Sequence, residues 1–583
     1  MAYTVFMNTL PHNNELIERI IAHIFKGHTL TPAELEKRYP KRVFSDVAAK
    51  VTRFAPSPTG FMHIGGMYNS LISERIVHAQ NHTLKDGSIV QNPRGVFYLR
   101  IEDTDSKRKV EGATELIVSS LANFGIEADE GPDTGSYGPY YQSERKEIYD
   151  TFCIELLRKD LAYICFATPE ELENNRHTQE LQKIRPGYYG SWALYRNTPL
   201  TEVITKLEAG TPFVIRLKSQ GNFDNKVEVN DIIRGKLHLS QNDQDTVIRK
   251  ADGFPTYHFA HAIDDHFMHT THVIRGDEWV ASTTLHIELF NALGFTPPTY
   301  GHILPIQKID GTKRKLSKRK DPEANMQYYV EKGYTRDAVI EYLLNLANSS
   351  FENWRQANPT LPWKEFPFSI ELLSHSTGPL FDPVKLNNVA KEVVARMSAH
   401  DVYTESLAWA RVYNPTWANI LERNSAYTTS IFSIERSGAK VRKDIGTWSE
   451  VESTIGYFFD DIFTEKISAT IKEHLQTLPN ITPEVTTEAL TKFIDITNKN
   501  LGAEEWLTQV RELAGSLGYA ENTKLYKQNP TGYKGYIAHI TAIFRIALTG
   551  TAQTPDLYQV ISVLGKERVL ARIAQALEYV SKK

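Results

Sequence analysis

The sequence predicts an α/β protein whose first half is built on a parallel sheet and whose second half is helical. Three observations support this fold class. Strand-like and helix-like segments alternate from residue 51 to about residue 320, as is typical of parallel α/β sheets. A stretch at 145–245 interrupts the alternation. Beyond residue 321 the apolar spacing is almost entirely helical.

The bulk composition limits the class of protein. A chain of 583 residues exceeds what one hydrophobic core usually accommodates, so several domains are expected. No apolar run approaches the roughly 20 residues of a membrane helix, and we expect no secretory signal and no membrane partner. Two cysteines, too few for a disulfide framework, favour a reducing, cytoplasmic location. The net charge of −4 does not by itself indicate nucleic-acid binding.

The elements follow in order. Residues 1–48 are polar, with a short amphipathic helix predicted at 14–26. A strand at 51–55 leads through a Pro/Gly loop into a helix that begins near Ile64. A second strand is predicted at 96–101, and the α/β pattern resumes at 246–248 and 272–275. Asp321 is predicted to cap the first C-terminal helix, with Pro322 at its first position.

The string at 53–66 joins that first strand to its helix, which begins at His63-Ile64-Gly65-Gly66. Small residues at a helix start let a nucleotide approach the backbone, and free N–H groups with the helix dipole favour phosphate. A short His/Gly turn alone would suit a structural role. The full string between a strand and a helix favours a nucleotide site.

A second string, 308–320, contains seven basic residues and one acid, Asp310. Its composition alone suits a solvated basic loop or a general polyanion patch. Its functional interpretation is neutralisation of charge on phosphate oxygens while pyrophosphate leaves.

Together the two strings resemble the paired HIGH and KMSKS motifs of class I aminoacyl-tRNA synthetases. They read here as His63-Ile64-Gly65-Gly66 and Lys315-Leu316-Ser317-Lys318-Arg319. The strings at 99–105, 131–145, 252–260, 264–266 and 271–279 resemble the glutamyl/glutaminyl subfamily, and those at 547–550 and 564–568 resemble its bacterial-type anticodon-binding domain. The resemblance covers roughly residues 50–583 and implies a split Rossmann-type catalytic domain.

The resemblance implies six segments. They are an N-terminal extension (1–48), the first Rossmann half (49–144), an inserted acceptor-end-binding module (145–245), the second Rossmann half with the KMSKS-like loop (246–321), a helical stem-contact domain (322–400) and a helical anticodon-binding domain (401–583).

It also implies roles for single residues. Catalytic residues would be His63, Lys315 and Lys318. The amino acid would be bound by Arg53, Ala55, Ser57, Glu102, Tyr257, His261 and Arg275. ATP would be bound by His63, Gly65, Gly66, Glu278, Trp279 and Lys318. A planar guanidinium holds a carboxylate bidentately, so Arg53 and Arg275 are the physical candidates for the glutamate carboxylates.

Two positions depart from the subfamily. His261 stands where relatives often have asparagine. Cys165 lacks the partner thiol of a Cys-x-Cys, so we predict no zinc. Five histidines between 258 and 272 match no closed zinc spacing, and we expect no metal there.

The implied activity is ATP-dependent ligation of L-glutamate to tRNA-Glu, with Mg²⁺ accompanying ATP, by a monomer. Three alternatives stay open: an enzyme that also glutamylates tRNA-Gln, a glutaminyl enzyme, and an inactive tRNA-binding paralogue. A paralogue that glutamylates queuosine typically lacks the anticodon-binding domain. This chain contains strings that resemble that domain, which disfavours this alternative.

Overall fold

The computed structural model describes residues 2–79, 81–83, 89–90, 92–105, 107–317, 319–370, 373, 378–438 and 441–581. The chain divides into two compact units. The first comprises Met1–Tyr328 with Ile340–Asp382, and the second comprises Tyr329–Val339 with Pro383–Lys583. Residues 322–400 are therefore shared between the units rather than forming one of their own. The six-segment division from the resemblance stays a prediction.

All described strands lie in the first unit. They are β1 (Val51–Phe54), β2 (His82–Thr83), β3 (Ile89–Val90), β4 (Val96–Leu99), β5 (Ala162–Cys165), β6 (Val214–Leu217), β7 (Lys226–Asp231), β8 (Gly235–Ser240), β9 (Val247–Arg249), β10 (His272–Gly276), β11 (Thr299–Ile303), β12 (Gln307–Asp310) and β13 (Thr312–Lys315). The helices up to the end of this unit are α1 (Ala2–Ile24), α2 (Pro32–Arg38), α3 (Ile64–His78), α4 (Ala113–Asn123), α5 (Lys146–Arg158), α6 (Pro169–Leu181), α7 (Leu200–Glu208), α8 (Tyr257–Phe267), α9 (Thr283–Leu293), α10 (Met326–Lys332), α11 (Arg336–Ala347) and α12 (Ser350–Ala357).

The predicted parallel sheet is confirmed. β1 pairs in parallel with β4, and β10 pairs in parallel with β11. The two pairs meet where the Thr271 N–H donates to the Val51 carbonyl at 3.0 Å. Ligands of such sheets bind beyond the carboxyl ends of the strands. A ligand site is therefore expected among the residues that follow β1, β4 and β10.

The inserted module is antiparallel. Its sheet has the order β5-β6-β9, and β7 forms a hairpin with β8. The prediction that the α/β pattern resumes at 246–248 is wrong in this respect, because Val247–Arg249 pairs antiparallel with β6. Apolar periodicity indicates a strand but does not reveal its pairing partner.

The N-terminal extension is part of the first unit's core. Helix α1 includes most of the predicted 14–26 helix but begins earlier, and it packs against α5 and α7. Helix α2 begins with a capping box between Thr31 and Glu34. Ile20 and Leu35 are fully buried in the same cluster as Phe259. Residues 1–48 therefore contribute buried apolar side chains to the core of the first unit.

The second unit is helical, as predicted. Phe493 and Phe544 stack with ring centroids 3.9 Å apart in its core. No described helix is long and apolar enough to cross a membrane. The helices of the second unit from residue 383 onward are α13 (Pro383–Arg396), α14 (Ala399–Tyr413), α15 (Pro415–Arg423), α16 (Ser425–Ser433), α17 (Val451–Ile455), α18 (Asp460–Ile462), α19 (Ser468–Gln476), α20 (Pro483–Asn498), α21 (Ala503–Ser516), α22 (Thr523–Gln528), α23 (Ile537–Thr549), α24 (Leu557–Leu564) and α25 (Lys566–Ser581).

Candidate active site

A cavity of about 310 Å³ opens at the carboxyl ends of β1, β10 and β11. It collects nearly all of the predicted site residues. The predicted residues that line it are Arg53, Ala55, Ser57, His63, Gly65, Gly66, Glu102, Tyr257, Arg275, Glu278, Trp279 and Lys315. His261 does not line it, and Lys318 lies outside the described residues.

The start of α3 forms one wall of the cavity. His63 is the N-cap residue, and its Nδ1 accepts the Gly65 N–H at 2.9 Å. The Gly66 N–H is also satisfied, by the His63 carbonyl at 2.8 Å. The expectation of free N–H groups at these two residues is therefore wrong. In the neutral ring the remaining proton sits on Nε2, so His63 offers a donor at a positive helix end.

The two glycines of this turn are required by space. A Cβ on Gly66 would lie 3.1 Å from the Met62 sulfur and 3.3 Å from the Phe54 ring. A Cβ on Gly65 would lie 3.0 Å from His63 Nδ1. A side chain at either position would require these neighbouring side chains, His63 among them, to shift by a few tenths of an ångström.

A buried ionic layer forms the floor of the cavity. Asp265 on α8 lies 2.6 Å from Arg100 Nη1 and 3.4 Å from Arg53 Nε. All three side chains are almost completely buried. The two arginines hold the pKa of Asp265 well below its usual range, against the opposing effect of burial. The adjacent Asp264 similarly binds Arg145, at 2.7 Å.

Glu102 is the acid that lines the cavity above this floor. One carboxylate oxygen accepts from Arg100 Nη2 at 3.3 Å. Burial raises its pKa to about 7, although Arg100 and Arg53 act in the opposite direction. A buried carboxyl whose pKa falls near neutrality is typical of a functional group, and a substrate ammonium would favour its charged form.

Arg275 is the cation on the opposite side. Its Nε donates to His302 Nε2 at 2.8 Å and its Nη1 to His286 Nδ1 at 2.8 Å. Its Nη2 donates to Thr283 Oγ1 at 2.9 Å. All of these acceptors are uncharged when the histidines are neutral, so the guanidinium keeps its full charge for a ligand. Burial is the largest cause that lowers the Arg275 pKa.

His261 was predicted to bind the amino acid; it does not line the cavity, and this role stays a prediction. It is fully buried on α8, stacked behind Tyr257 with ring centroids 5.9 Å apart. Its Nε2 lies 3.0 Å from the Tyr300 hydroxyl, and its Nδ1 lies 2.7 Å from Asp265. One helical turn from Tyr257, it contacts the far face of that ring and the ionic floor. Burial lowers its pKa to about 4.

The expected nucleotide side carries an aromatic pair and a labile ion pair. Tyr257 and Trp279 have ring centroids 4.3 Å apart. Lys315 Nζ lies 3.6 Å from Glu278 Oε1, and both side chains are about half exposed. Such exposed pairs contribute little, so Lys315 can exchange this carboxylate for phosphate at small cost.

The basic string at 308–320 supplies most of the β12–β13 hairpin, and the KMSKS-like part of it begins at the last residue of β13, Lys315. Arg314 makes a bidentate pair with Asp321 at 2.6 and 2.8 Å, and Lys308 contacts Glu323. Acids just beyond the string therefore neutralise part of its charge. Asp321 is the N-cap residue, with Pro322 at the first position as predicted, but the element that follows is a short 3₁₀ turn, Pro322–Ala324. The Asp321 carboxylate makes no capping hydrogen bond to that turn and instead accepts the Ser317 N–H at 2.8 Å.

Cys165, the single cysteine of the incomplete Cys-x-Cys, contacts other side chains of the protein. Cys165 Sγ lies 3.3 Å from the Tyr188 hydroxyl and accepts from Arg216 Nε at 3.3 Å. Arg216 also sits 4.0 Å above the Tyr188 ring. Within the described part of the chain, no group of three or more His, Cys, Asp or Glu side chains is arranged to hold a metal ion.

Sequence reasoning missed several residues that build the site. Asp265 was recognised only as part of a family string, and its pairing with Arg53 on β1 and Arg100 directly after β4 has no local sequence signal. His286 and His302 contact Arg275 from two separate elements, and Asp231 contacts His302 from a third. The one sequence signal for the two histidines is that each stands alone within an apolar segment, where a polar side chain is expected to be buried.

Comparisons with known proteins agree with this geometry. Residues 50–356 match the model of the family described as tRNA synthetases class I (E and Q), catalytic domain. Residues 532–577 match an anticodon binding domain. Fold and site thus define a class I tRNA synthetase of the E and Q group.

The relatives specify the family further. The glutamate–tRNA ligase of Clostridium perfringens is 45% identical over 562 residues, covering 95% of this chain and 100% of its own. That of Sorangium cellulosum is 43% identical and covers 94% of this chain and 98% of its own. The chain belongs to the glutamate–tRNA ligase family.

A solved structure supports the same assignment. The glutamate–tRNA ligase of Elizabethkingia meningosepticum, crystallised in complex with its amino acid, superposes with a TM-score of 0.68 at 28% identity. The match covers 91% of this chain and 99% of that one.

Proposed function

We propose that the chain activates L-glutamate with ATP and transfers it to the 3′-terminal adenosine of tRNA-Glu. The observation that carries this proposal is that one cavity is lined both by the acid Glu102 and by Arg275, a cation that pairs with no carboxylate among the described residues. An amino acid with an additional acidic group presents one ammonium and two carboxylates. A site with an acid, Arg53 and Arg275 matches those three charges.

The first step would join glutamate to AMP. The substrate α-carboxylate oxygen attacks the α-phosphorus of ATP, and pyrophosphate leaves with its Mg²⁺. Mg²⁺ enters as part of the ATP substrate. His63 and Lys315 would stabilise the charge on the phosphate oxygens, together with Lys318, and the Tyr257–Trp279 side would receive the adenosine.

The second step would transfer the glutamyl group. The 2′-hydroxyl of the terminal adenosine attacks the adenylate carbonyl, and AMP leaves with the bonding electron pair while the hydroxyl loses its proton. The inserted module would hold the acceptor end, and the helical second unit would contact anticodon bases. We further propose, as in the subfamily that the chain resembles, that activation requires bound tRNA.

The first experiment is aminoacylation with labelled glutamate or glutamine on tRNA-Glu and tRNA-Gln transcripts. Charging of tRNA-Glu alone by glutamate supports the proposal. Charging of tRNA-Gln as well would favour the non-discriminating alternative, and charging by glutamine would favour a glutaminyl enzyme. No charging at all would favour the inactive tRNA-binding paralogue.

Two smaller proposals accompany this one. ATP–pyrophosphate exchange without tRNA should be negligible, and robust exchange would contradict tRNA-dependent activation. A monomer working in the cytoplasm is proposed from the family resemblance and from the two buried, unpaired cysteines, Cys153 and Cys165. Sedimentation velocity of the purified chain measures the oligomeric state.

A further inference from the structure

Arg275 is held by two chains of hydrogen bonds whose proton positions follow from chemistry alone. An arginine only donates hydrogen bonds. His302 Nε2 and His286 Nδ1, which face Arg275 at 2.8 Å each, must therefore be bare acceptors. Each neutral ring then carries its proton on the other nitrogen.

The His302 chain ends on an acid from the inserted module. His302 Nδ1–H donates to Asp231 Oδ2 at 2.5 Å. Asp231 is the last residue of β7, at the turn of the β7–β8 hairpin. Both side chains are buried, and the Arg275 guanidinium lies 4.4 Å above the Tyr300 ring beside them.

The His286 chain ends differently. His286 Nε2–H faces His258 Nδ1 at 2.8 Å, so this arm contains two neutral rings and no acid. Burial lowers the pKa of His258 to about 4 and that of His286 well below the usual range. Arg275 is thus fixed on two sides without an acid partner of its own among the described residues.

We propose that Asp231 and His302 are positioning residues that fix the Arg275 guanidinium for the substrate carboxylate, so that the inserted hairpin sets the amino-acid site. The inference rests on the proposed function, because it takes the ligand of Arg275 to be a glutamate carboxylate. A direct acid partner would cancel the charge that the substrate needs. An acid one imidazole away orients the arginine while leaving that charge available.

Asp231 is suited to this task by its two distinct oxygens. Oδ1 accepts the backbone N–H groups of Ile233 at 2.9 Å and Arg234 at 2.7 Å, and Oδ2 faces His302 Nδ1. The His302 backbone N–H lies 3.2 Å from both oxygens. In Asp231→Asn the amide oxygen would stay with the Ile233 and Arg234 donors. The amide NH₂ would then face His302 Nδ1 and force the ring to its other tautomer. His302 Nε2–H would oppose the Arg275 Nε–H, and the guanidinium would move.

The test is steady-state aminoacylation of tRNA-Glu by the full chain, with glutamate and ATP varied separately. Asp231→Asn and His302→Leu should each raise the KM for glutamate roughly 10- to 100-fold, as expected when a hydrogen bond to a charged group is lost. The KM for ATP should stay within about twofold. His302→Gln should give an intermediate KM, because its amide oxygen can still accept from Arg275.

Coupling gives a sharper readout. In a His302→Leu background, Asp231→Asn should raise the KM for glutamate no further, since its path to Arg275 is already broken. The matched control is Asp129→Asn, which alters another aspartate–histidine contact, with His78 at 2.8 Å, away from the cavity. It should leave both KM values unchanged.

Three outcomes would overturn the proposal: a KM for glutamate within twofold of wild type in His302→Leu, a parallel rise of both KM values, or additive effects in the double variant. Should Asp231→Asn fail to give a cooperative thermal melt, the order wild type, His302→Gln, His302→Leu decides the question. Absence of glutamate charging by the wild-type chain would instead refute the proposed function.

Discussion

Replacing Glu102 by glutamine is expected to stabilise the protein at alkaline pH while impairing its activity. Glu102 lines the cavity and is almost enclosed, and burial raises its pKa from the ordinary 4.5 to about 7. A tenfold change in an equilibrium constant corresponds to about 1.4 kcal/mol. The charged carboxylate therefore costs the folded state about 3 kcal/mol relative to the unfolded chain.

The sign follows from proton linkage. Because the folded carboxyl keeps its proton to higher pH than the unfolded one, the folded state binds more protons between pH 4.5 and about 7. The free energy of unfolding therefore falls as the pH rises through this window. Glu102→Gln removes this pH-dependent fall in the free energy of unfolding, because glutamine does not ionise. It should raise the free energy of unfolding by about 3 kcal/mol at pH 8 and by about 1 kcal/mol at pH 5.

The assay is urea unfolding followed by tryptophan fluorescence at both pH values. The chain has two compact units, so the transition to be compared is the one that added glutamate shifts. Glu115→Gln, at an exposed position on α4, is the control and should show no pH-dependent difference. An equal effect of Glu102→Gln at pH 5 and pH 8 would refute the reasoning. Loss of glutamate charging by the same variant would agree with the proposed ammonium contact.

Three further predictions concern the ionic floor, the β12–β13 hairpin and Cys165 in the inserted module. Asp265→Asn removes the acid that Arg53 and Arg100 share, and Arg100 keeps only the longer contacts to Glu102 at 3.3 Å and Asp264 at 3.7 Å. The substitution should lower the free energy of unfolding by about 3–5 kcal/mol, measured by urea unfolding, and a loss under 1 kcal/mol would contradict the ionic floor. Lys315→Ala should lower kcat about 100-fold or more. Lys313 is exposed on the same β12–β13 hairpin, and Lys313→Ala should not have this effect. Equal effects of the two substitutions in pre-steady-state charging would argue against a specific phosphate contact of Lys315. Purified protein should contain no stoichiometric zinc by elemental mass spectrometry, and a chelator should not change its melting temperature, because Cys165 is satisfied by Arg216; one bound zinc per chain would show this interpretation to be wrong.

The resemblance located most of the site because its residues lie in short contiguous strings. The strand–loop–helix from Arg53 to Gly66 is a local structure, and its Pro and Gly residues and the His63 cap follow from nearby sequence. The parallel sheet and the helical second half were likewise predictable, since apolar periodicity is a local signal.

The remaining features depend on pairing between distant segments. The resemblance placed His261 among the residues that bind the amino acid, but the tertiary structure puts its ring behind Tyr257 against Asp265. The strand at Val247–Arg249 was predictable as a strand, but its partner β6 was not. Periodicity states which face of an element is buried and not which element covers it.

The sequence by itself indicated the family, the order of most elements and most of the residues that line the cavity. Only the tertiary structure decided how their charges are balanced. Asp265 neutralises the floor, whereas Arg275 donates to His302, and His302 donates in turn to Asp231, which lies 44 positions before Arg275 in the sequence, in the insertion. Charge compensation acts through space over a few ångströms, and only folding brings such groups within that range.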